Sequence, residues 1–192
     1  MMRILFLDFD GVLNSADSWR KRPDGWVGPW EGNREIPLGL LAIRLDPERV
    51  SILNDVLERT GAKVVLSTSW RNWPEQDYVR ERLNAAGFAG TIVGATPGWL
   101  GPGKRRGDEI QAWLDQNQGE VEAFAIVDDS EDMGDLMPYL VLVDPMTGLD
   151  ESYVPKLVEL LTPAGKTTEW TRCEKCGGPV LIGTFCGRCQ QT

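Results

Sequence analysis

The chain has 192 residues, 42% hydrophobic and 26% charged, with a formal net charge of −9 and no histidine. That length suits one well-buried domain with a small appendage. Lack of histidine excludes imidazole acid/base catalysis and imidazole metal ligation, so any hydrolytic chemistry must run on carboxylates, hydroxyls, lysines or metals. The charge is uneven: after residue 165, Lys166, Arg172, Lys175 and Arg188 stand against Glu169 and Glu174 only, so a basic tail follows an acidic body. An acidic body is a poor general binder of nucleic acid, whose nonspecific affinity comes from phosphate neutralisation. It still leaves room for a locally basic, metal-bearing cleft. The apolar run after Met1-Met2-Arg3 is too short for a signal peptide, and no stretch approaches the roughly 20 apolar residues that span a bilayer. A cytoplasmic protein without membrane contact is expected.

Ile4-Leu5-Phe6-Leu7 reads as a strand buried on both faces, stopping at Asp8-Phe9-Asp10-Gly11. Ligands of open parallel sheets sit at the carboxyl ends of the strands, which puts Asp8 and Asp10 where chemistry is done. Residues 15 to 43 are rich in Trp, Gly, Pro and charge without a steady period, and are expected as a flap with a short helix near Asp17 to Lys21. Within it, Trp26 and Trp30 either pack the flap down or stack on a base or substrate.

Asp46-Pro47 starts a helix whose apolar face is Val50, Leu53, Val56 and Leu57 and which stops at Gly61. A second buried strand from Ala62 ends at Ser67-Thr68-Ser69-Trp70-Arg71. A helix over Pro74 to Ala86 and a strand at Thr91 to Val93 follow. The Gly/Pro-rich loop 94–107 carries Lys104-Arg105-Arg106 and leads to a helix expected over Asp108 to Gln116. A strand Ala123 to Val127 ends at Asp128-Asp129-Ser130-Glu131-Asp132, a strand Leu140 to Val143 ends at Asp144, and a helix covers Glu151 to Leu161. Alternating strands and helices predict an α/β fold, a Rossmann-like parallel sheet with helices on both faces. The expected organisation is a catalytic domain over 1–161 with a flap or minimal cap insert near 15–45, a linker over 162–172, and a small module over 173–192.

Carboxylates from separate strands meeting in one crevice repel unless a cation lies between them, and few hard oxygen ligands with open positions suit Mg2+. Hydroxyls and a basic side chain supply what a phosphoryl group needs. Without histidine, a carboxylate nucleophile fits covalent phosphoryl transfer, and a second carboxylate two residues on fits general acid/base work.

Asp8-Phe9-Asp10-Gly11-Val12, Thr68 after an apolar strand, a cation near 104, and Asp128-Asp129 after another strand resemble the four motifs of the haloacid dehalogenase-like (HAD) phosphatase superfamily. The likeness covers residues 1 to about 161. Asp-Gly-Val-Leu-Asn, Ser-Thr-Ser-Trp-Arg and Asp-Asp-Ser-Glu-Asp-Met are similar to a branch associated with RNA repair proteins. The resemblance implies Asp8 as nucleophile, Asp10 as general acid/base and Thr68, with Ser67 as the other choice, as phosphoryl ligand. It implies Mg2+ held by Asp8, Asp128 and the Asp10 carbonyl, supported by Asp129. The cation is Lys104, Arg105 or Arg106: Lys104 is preferred for its compact ammonium, and Arg106 comes second. Asn14, Ser69 and Arg71 are substrate-side candidates, Arg71 foremost because a guanidinium matches phosphate geometry. Asp132 is a metal neighbour or a helix cap.

Cys173-Glu174-Lys175-Cys176 and Cys186-Gly187-Arg188-Cys189 hold all four cysteines. Two such pairs offer four thiolates to a structural, tetrahedral Zn2+ in a zinc ribbon, with a hairpin expected over Pro179 to Phe185. The expected activity is a Mg2+-dependent phosphatase acting through an aspartyl-phosphate on the terminal phosphates of nucleic acids, RNA or DNA, at a 5' or 3' end. The alternatives are a small-molecule nucleotidase or phosphatase, or a zinc-ribbon adaptor carrying a catalytically weak scaffold.

Overall fold

The computed structural model describes residues 1–20, 45–72, 76–98, 101, 103–163, 170–172 and 179–181. Five parallel strands form the body: β1 (Met2–Leu7), β2 (Lys63–Leu66), β3 (Ile92–Ala95), β4 (Val121–Asp128) and β5 (Leu140–Leu142), in the spatial order β3-β2-β1-β4-β5. Two-residue periodicity divides β1 between two cores. Leu5 and Leu7 join Val64, Leu66, Ala125 and Val127 under α2 (Pro47–Thr60), α3 (Gln76–Ala85) and α5 (Val154–Leu161). Ile4 and Phe6 join Val65 and Ile126 under α4 (Arg106–Gln116) and a 3₁₀ turn at Gly134–Tyr139. Both faces are therefore covered, which is why the strand reads as a continuous apolar run. Each fully buried Leu or Phe contributes about 1.5–3 kcal/mol. No helix among the described residues is long and apolar enough to cross a membrane.

The helix expected at Asp46-Pro47 forms as read: the Asp46 carboxylate accepts from Glu48 N–H at 3.0 Å. Asp46 also accepts from Ser18 at 2.5 Å, beside the short helix α1 (Ala16–Arg20), and its amide donates to the Leu13 carbonyl at 2.8 Å. The two ends of the expected flap therefore leave the body side by side; residues 21–44, with Trp26 and Trp30, lie outside the described residues.

Two boundaries differ from expectation. Helix α4 starts at Arg106, not Asp108, because Asp108 is the fourth residue of a capping box: its carboxylate accepts from the Arg105 amide at 2.9 Å. The Gly107 amide meanwhile donates to the Asp132 carbonyl at 2.9 Å. A Cβ at Gly107 would collide with the Met133 backbone, so glycine permits this close approach. Further on, β6 (Trp170–Arg172) lies inside the stretch expected as linker and pairs antiparallel with β7 (Pro179–Leu181), Thr171 opposite Val180. Strand β7 falls inside the hairpin expected over Pro179 to Phe185, of which residues 182–185 lie outside the described residues. The four cysteines themselves lie outside the described residues.

Candidate active site

Chain order reverses direction between β1 and β4, and the crevice at their carboxyl ends is where an open α/β sheet binds ligands. Asp8 follows β1, Asp128 ends β4, and Ser67 and Thr68 follow β2. All four side chains are buried. A tight turn keeps Asp8 at the mouth: the amides of Val12, Leu13 and Asn14 all donate to the Phe9 carbonyl, and Gly11 takes φ +73°. A Cβ at Gly11 would run into the Asp129 side chain, so its absence leaves the space that Asp129 fills.

Oxygens of Asp8, Asp128 and Asp129 lie within 4.8 Å of one another. One guanidinium faces this cluster. Arg106 sits 3.2 Å from Asp8 Oδ1 through Nη1 and 3.4 Å from Asp128 Oδ2 through Nε, and Nη1 also donates to the Ser67 carbonyl. Three carboxylates around one guanidinium leave the pocket short of positive charge. Burial and then the nearby Asp8 push Asp128 up to about 7. Burial likewise raises Asp8, against the pull of Arg106 and of hydrogen bonds from the Phe9 amide and Thr68. Burial raises Asp129 too. On Arg106 burial works against the charge, but Asp8 and Asp128 outweigh it and hold its pKa above the ordinary value. Clustered hard oxygens lacking countercharge are the donor set that suits a small divalent cation, so these residues fit Mg2+.

A pH dependence follows. Asp128 is raised from 3.8 to about 7 in the folded, metal-free protein, so between those values the folded state holds more protons than the unfolded chain. Stability from this group is full at the acid end and is lost as pH climbs to about 7. A metal ion competes with that proton. The thermal stabilisation given by Mg2+ over chelator should therefore grow as pH rises and level off above about 7. A gain that is the same at every pH would contradict this.

The other predicted residues are placed as follows. Lys104 is exposed, and the cation against Asp8 is the Arg106 guanidinium. The helix start explains the difference: at the first position of α4, Arg106 is aimed back at the strand ends, while Lys104 lies two residues before the helix. Arg105 pairs with Asp108 on the surface at 3.4 Å. Arg71, on a 3₁₀ turn at Ser69–Asn72, is engaged by protein: it pairs with Glu109 and donates to the Thr68 carbonyl at 2.5 Å and the Pro97 carbonyl at 3.4 Å. Burial, with Arg106 adding to it, lowers its pKa against the pull of Glu109. Ser69 is exposed at the rim. Asn14 turns onto Asp10, donating to Oδ1 at 2.9 Å. Asp132 acts at the helix start, its carboxylate accepting from the Arg106 amide at 3.3 Å.

Sequence reasoning gave no role to Trp70 or Glu109. Trp70 donates its indole N–H to Asp10 Oδ2 at 2.8 Å. Glu109 was findable, since three residues after Arg106 on a helix is the same face. Trp70 carried no such signal, because an indole after a strand reads equally as core.

Neither the curated proteins nor the solved structures give a significant match to this chain. The family model described as the HAD domain in Swiss Army Knife RNA repair proteins matches residues 4–154. That span begins in β1, takes in Asp8, Thr68, Arg106 and Asp128, and ends at the start of α5. With most of its length matched and its acidic cluster at the strand ends where the first and last motifs fall, the chain belongs to the family of HAD domains found in Swiss Army Knife RNA repair proteins.

Proposed function

We propose that the protein is a Mg2+-dependent phosphatase that removes terminal phosphate from nucleic-acid ends through a phosphorylated Asp8. The observation carrying this reading is the group of buried Asp8, Thr68 and Asp128 at adjacent strand ends, faced by the half-buried Arg106 guanidinium from the start of α4. The family's place in RNA repair supports a polynucleotide substrate. Asp8, Asp128 and Asp129 would hold the ion, which would neutralise charge on the transferred phosphoryl group. Asp8 attacks phosphorus, and Arg106 and Thr68 donate hydrogen bonds to non-bridging oxygens. Asp10 protonates the leaving oxygen, then takes a proton from the water that releases phosphate and restores the Asp8 carboxylate.

The deciding assay measures phosphate release, with Mg2+, from oligonucleotides phosphorylated at the 5' or 3' end and from mononucleotides. Release from an oligonucleotide end at higher kcat/KM than from any mononucleotide is expected. Release from mononucleotides alone would establish a small-molecule phosphatase, and none from any substrate would overturn the reading.

In the same proposal, residues 1–161 are the catalytic domain, and Cys173, Cys176, Cys186 and Cys189 bind one structural Zn2+ in a zinc ribbon. The antiparallel β6–β7 pair supports this, because a hairpin whose connection holds Cys-x-x-Cys suits metal capture. So short a module has no core of its own and would draw its folding free energy from the metal. A reducing cytoplasm would keep these thiols available. Metal analysis should find about one zinc per chain, lost in Cys176→Ser while phosphate release from small substrates persists. Full zinc content in that variant would remove the four-thiolate site.

A further inference from the structure

Asp10 is the one acid of the first motif outside the Asp8–Asp128–Asp129 cluster, and both of its carboxylate oxygens are held. Oδ2 accepts from the Trp70 indole at 2.8 Å and Oδ1 from the Asn14 amide at 2.9 Å. Each donor is itself fixed. The Trp70 ring is buried, edge-on to Phe9 with centroids 5.2 Å apart and planes at 88°. Asn14 is buried, its backbone amide bound to the Phe9 carbonyl at 3.2 Å. Phe9 thus braces both donors, and the two donors fix an otherwise exposed carboxylate.

We infer that Trp70 and Asn14 are positioning residues for Asp10, clamping its carboxylate in the orientation from which it passes protons to and from the phosphoryl-transfer reaction. A side chain on the exposed turn after β1 would sample several rotamers. Two charge-assisted hydrogen bonds from buried donors select one of them. The arrangement also keeps Asp10 from turning inward to join the three clustered acids.

This inference rests on the phosphatase reading, and leaving-group chemistry separates the two. In the first half-reaction the Asp8–phosphorus bond forms, the phosphorus–oxygen bond to the leaving group breaks, and the leaving oxygen takes a proton from Asp10 when it is a poor leaving group. In the second, water oxygen bonds to phosphorus, its proton goes to Asp10, and the bond to Asp8 breaks. A nitrophenolate leaves without a proton, whereas a sugar alkoxide needs one. Disturbing Asp10 therefore spares the first half-reaction of p-nitrophenyl phosphate and slows everything else.

The experiment is stopped-flow and steady-state kinetics of wild type, Trp70→Phe and Asn14→Leu, on p-nitrophenyl phosphate and on the best sugar-phosphate ester of the substrate panel. Trp70→Phe retains an aromatic ring against Phe9 and deletes the N–H; Asn14→Leu retains the shape and deletes the amide. Each should show a burst near one nitrophenolate per protein at a rate within about threefold of wild type. Steady-state kcat on both substrates should fall about ten- to hundredfold, the worth of a lost charge-assisted hydrogen bond, with Mg2+ affinity little changed; on p-nitrophenyl phosphate KM should fall in step with kcat, because kcat/KM reads the spared first half-reaction. If both variants lose burst rate as much as sugar-ester turnover, or lose neither, the positioning role is overturned. Should wild type turn over neither substrate, the phosphatase reading falls and this inference with it.

Discussion

Asp8→Asn should abolish phosphate release on every substrate, by about 10⁴-fold or more, because a neutral carboxamide cannot replace the carboxylate that attacks phosphorus. Stability should move the other way. Asp8, Asp128 and Asp129 share one guanidinium, so neutralising Asp8 relieves repulsion in a buried pocket. The metal-free variant should melt no lower than wild type, and Asp128 should titrate below its present value of about 7. Calorimetry in chelator and proton titration of the Asp128 carboxyl check both statements. A variant that loses activity and also melts well below wild type would show Asp8 to be a structural acid.

Arg106→Met carries the second large effect, and it runs through both activity and fold. Without the guanidinium, Asp8 and Asp128 are left buried with no positive partner of their own, and breaking such a pair costs about 3–5 kcal/mol in a dry interior. Arg106 is 22% exposed, so about 2–3 kcal/mol is the expected loss in the metal-free protein. Mg2+ should restore much of that stability, since the ion supplies the missing charge, but not the activity. Loss of a preorganised donor to the phosphoryl oxygens should lower kcat/KM about 10²- to 10³-fold. Lys104→Met, at an exposed position, should stay within the 0–1 kcal/mol typical of a surface charge. Equal losses in the two variants would return the phosphate-facing role to the loop as a whole.

The contrast between Lys104 and Arg106 shows where the sequence was legible. Strand β1 was plain, because an apolar run stopping at two acids has few other readings. Helix α2 was equally plain, because Asp46-Pro47 is a start and Gly61 a stop. At α4 the chain offers three basic residues, a glycine and an acid in succession, and an acid opening a helix serves equally as cap or as fourth residue of a capping box. Two residues of ambiguity there turn the helix by more than half a revolution, which decides which cation faces Asp8.

The fate of Asn14 and Arg71 was hidden for another reason. Their types suit phosphate or substrate, but the structure supplies each with a partner from elsewhere in the chain, Asp10 for Asn14 and Glu109 for Arg71. No local pattern announces such partnerships. Strand β6, inside the expected linker, was missed because it has only three residues, too short for any periodicity to register.

In the proposed reaction Asp8 takes the phosphoryl group, and one measurement reads that step directly. Turnover quenched in acid, followed by peptide mapping of the protein, reads where phosphate has been attached. A phosphorylated peptide containing Asp8, absent from Asp8→Asn, is the expected result. Phosphate released with no phosphorylated protein at any time, or label on another residue, would contradict it.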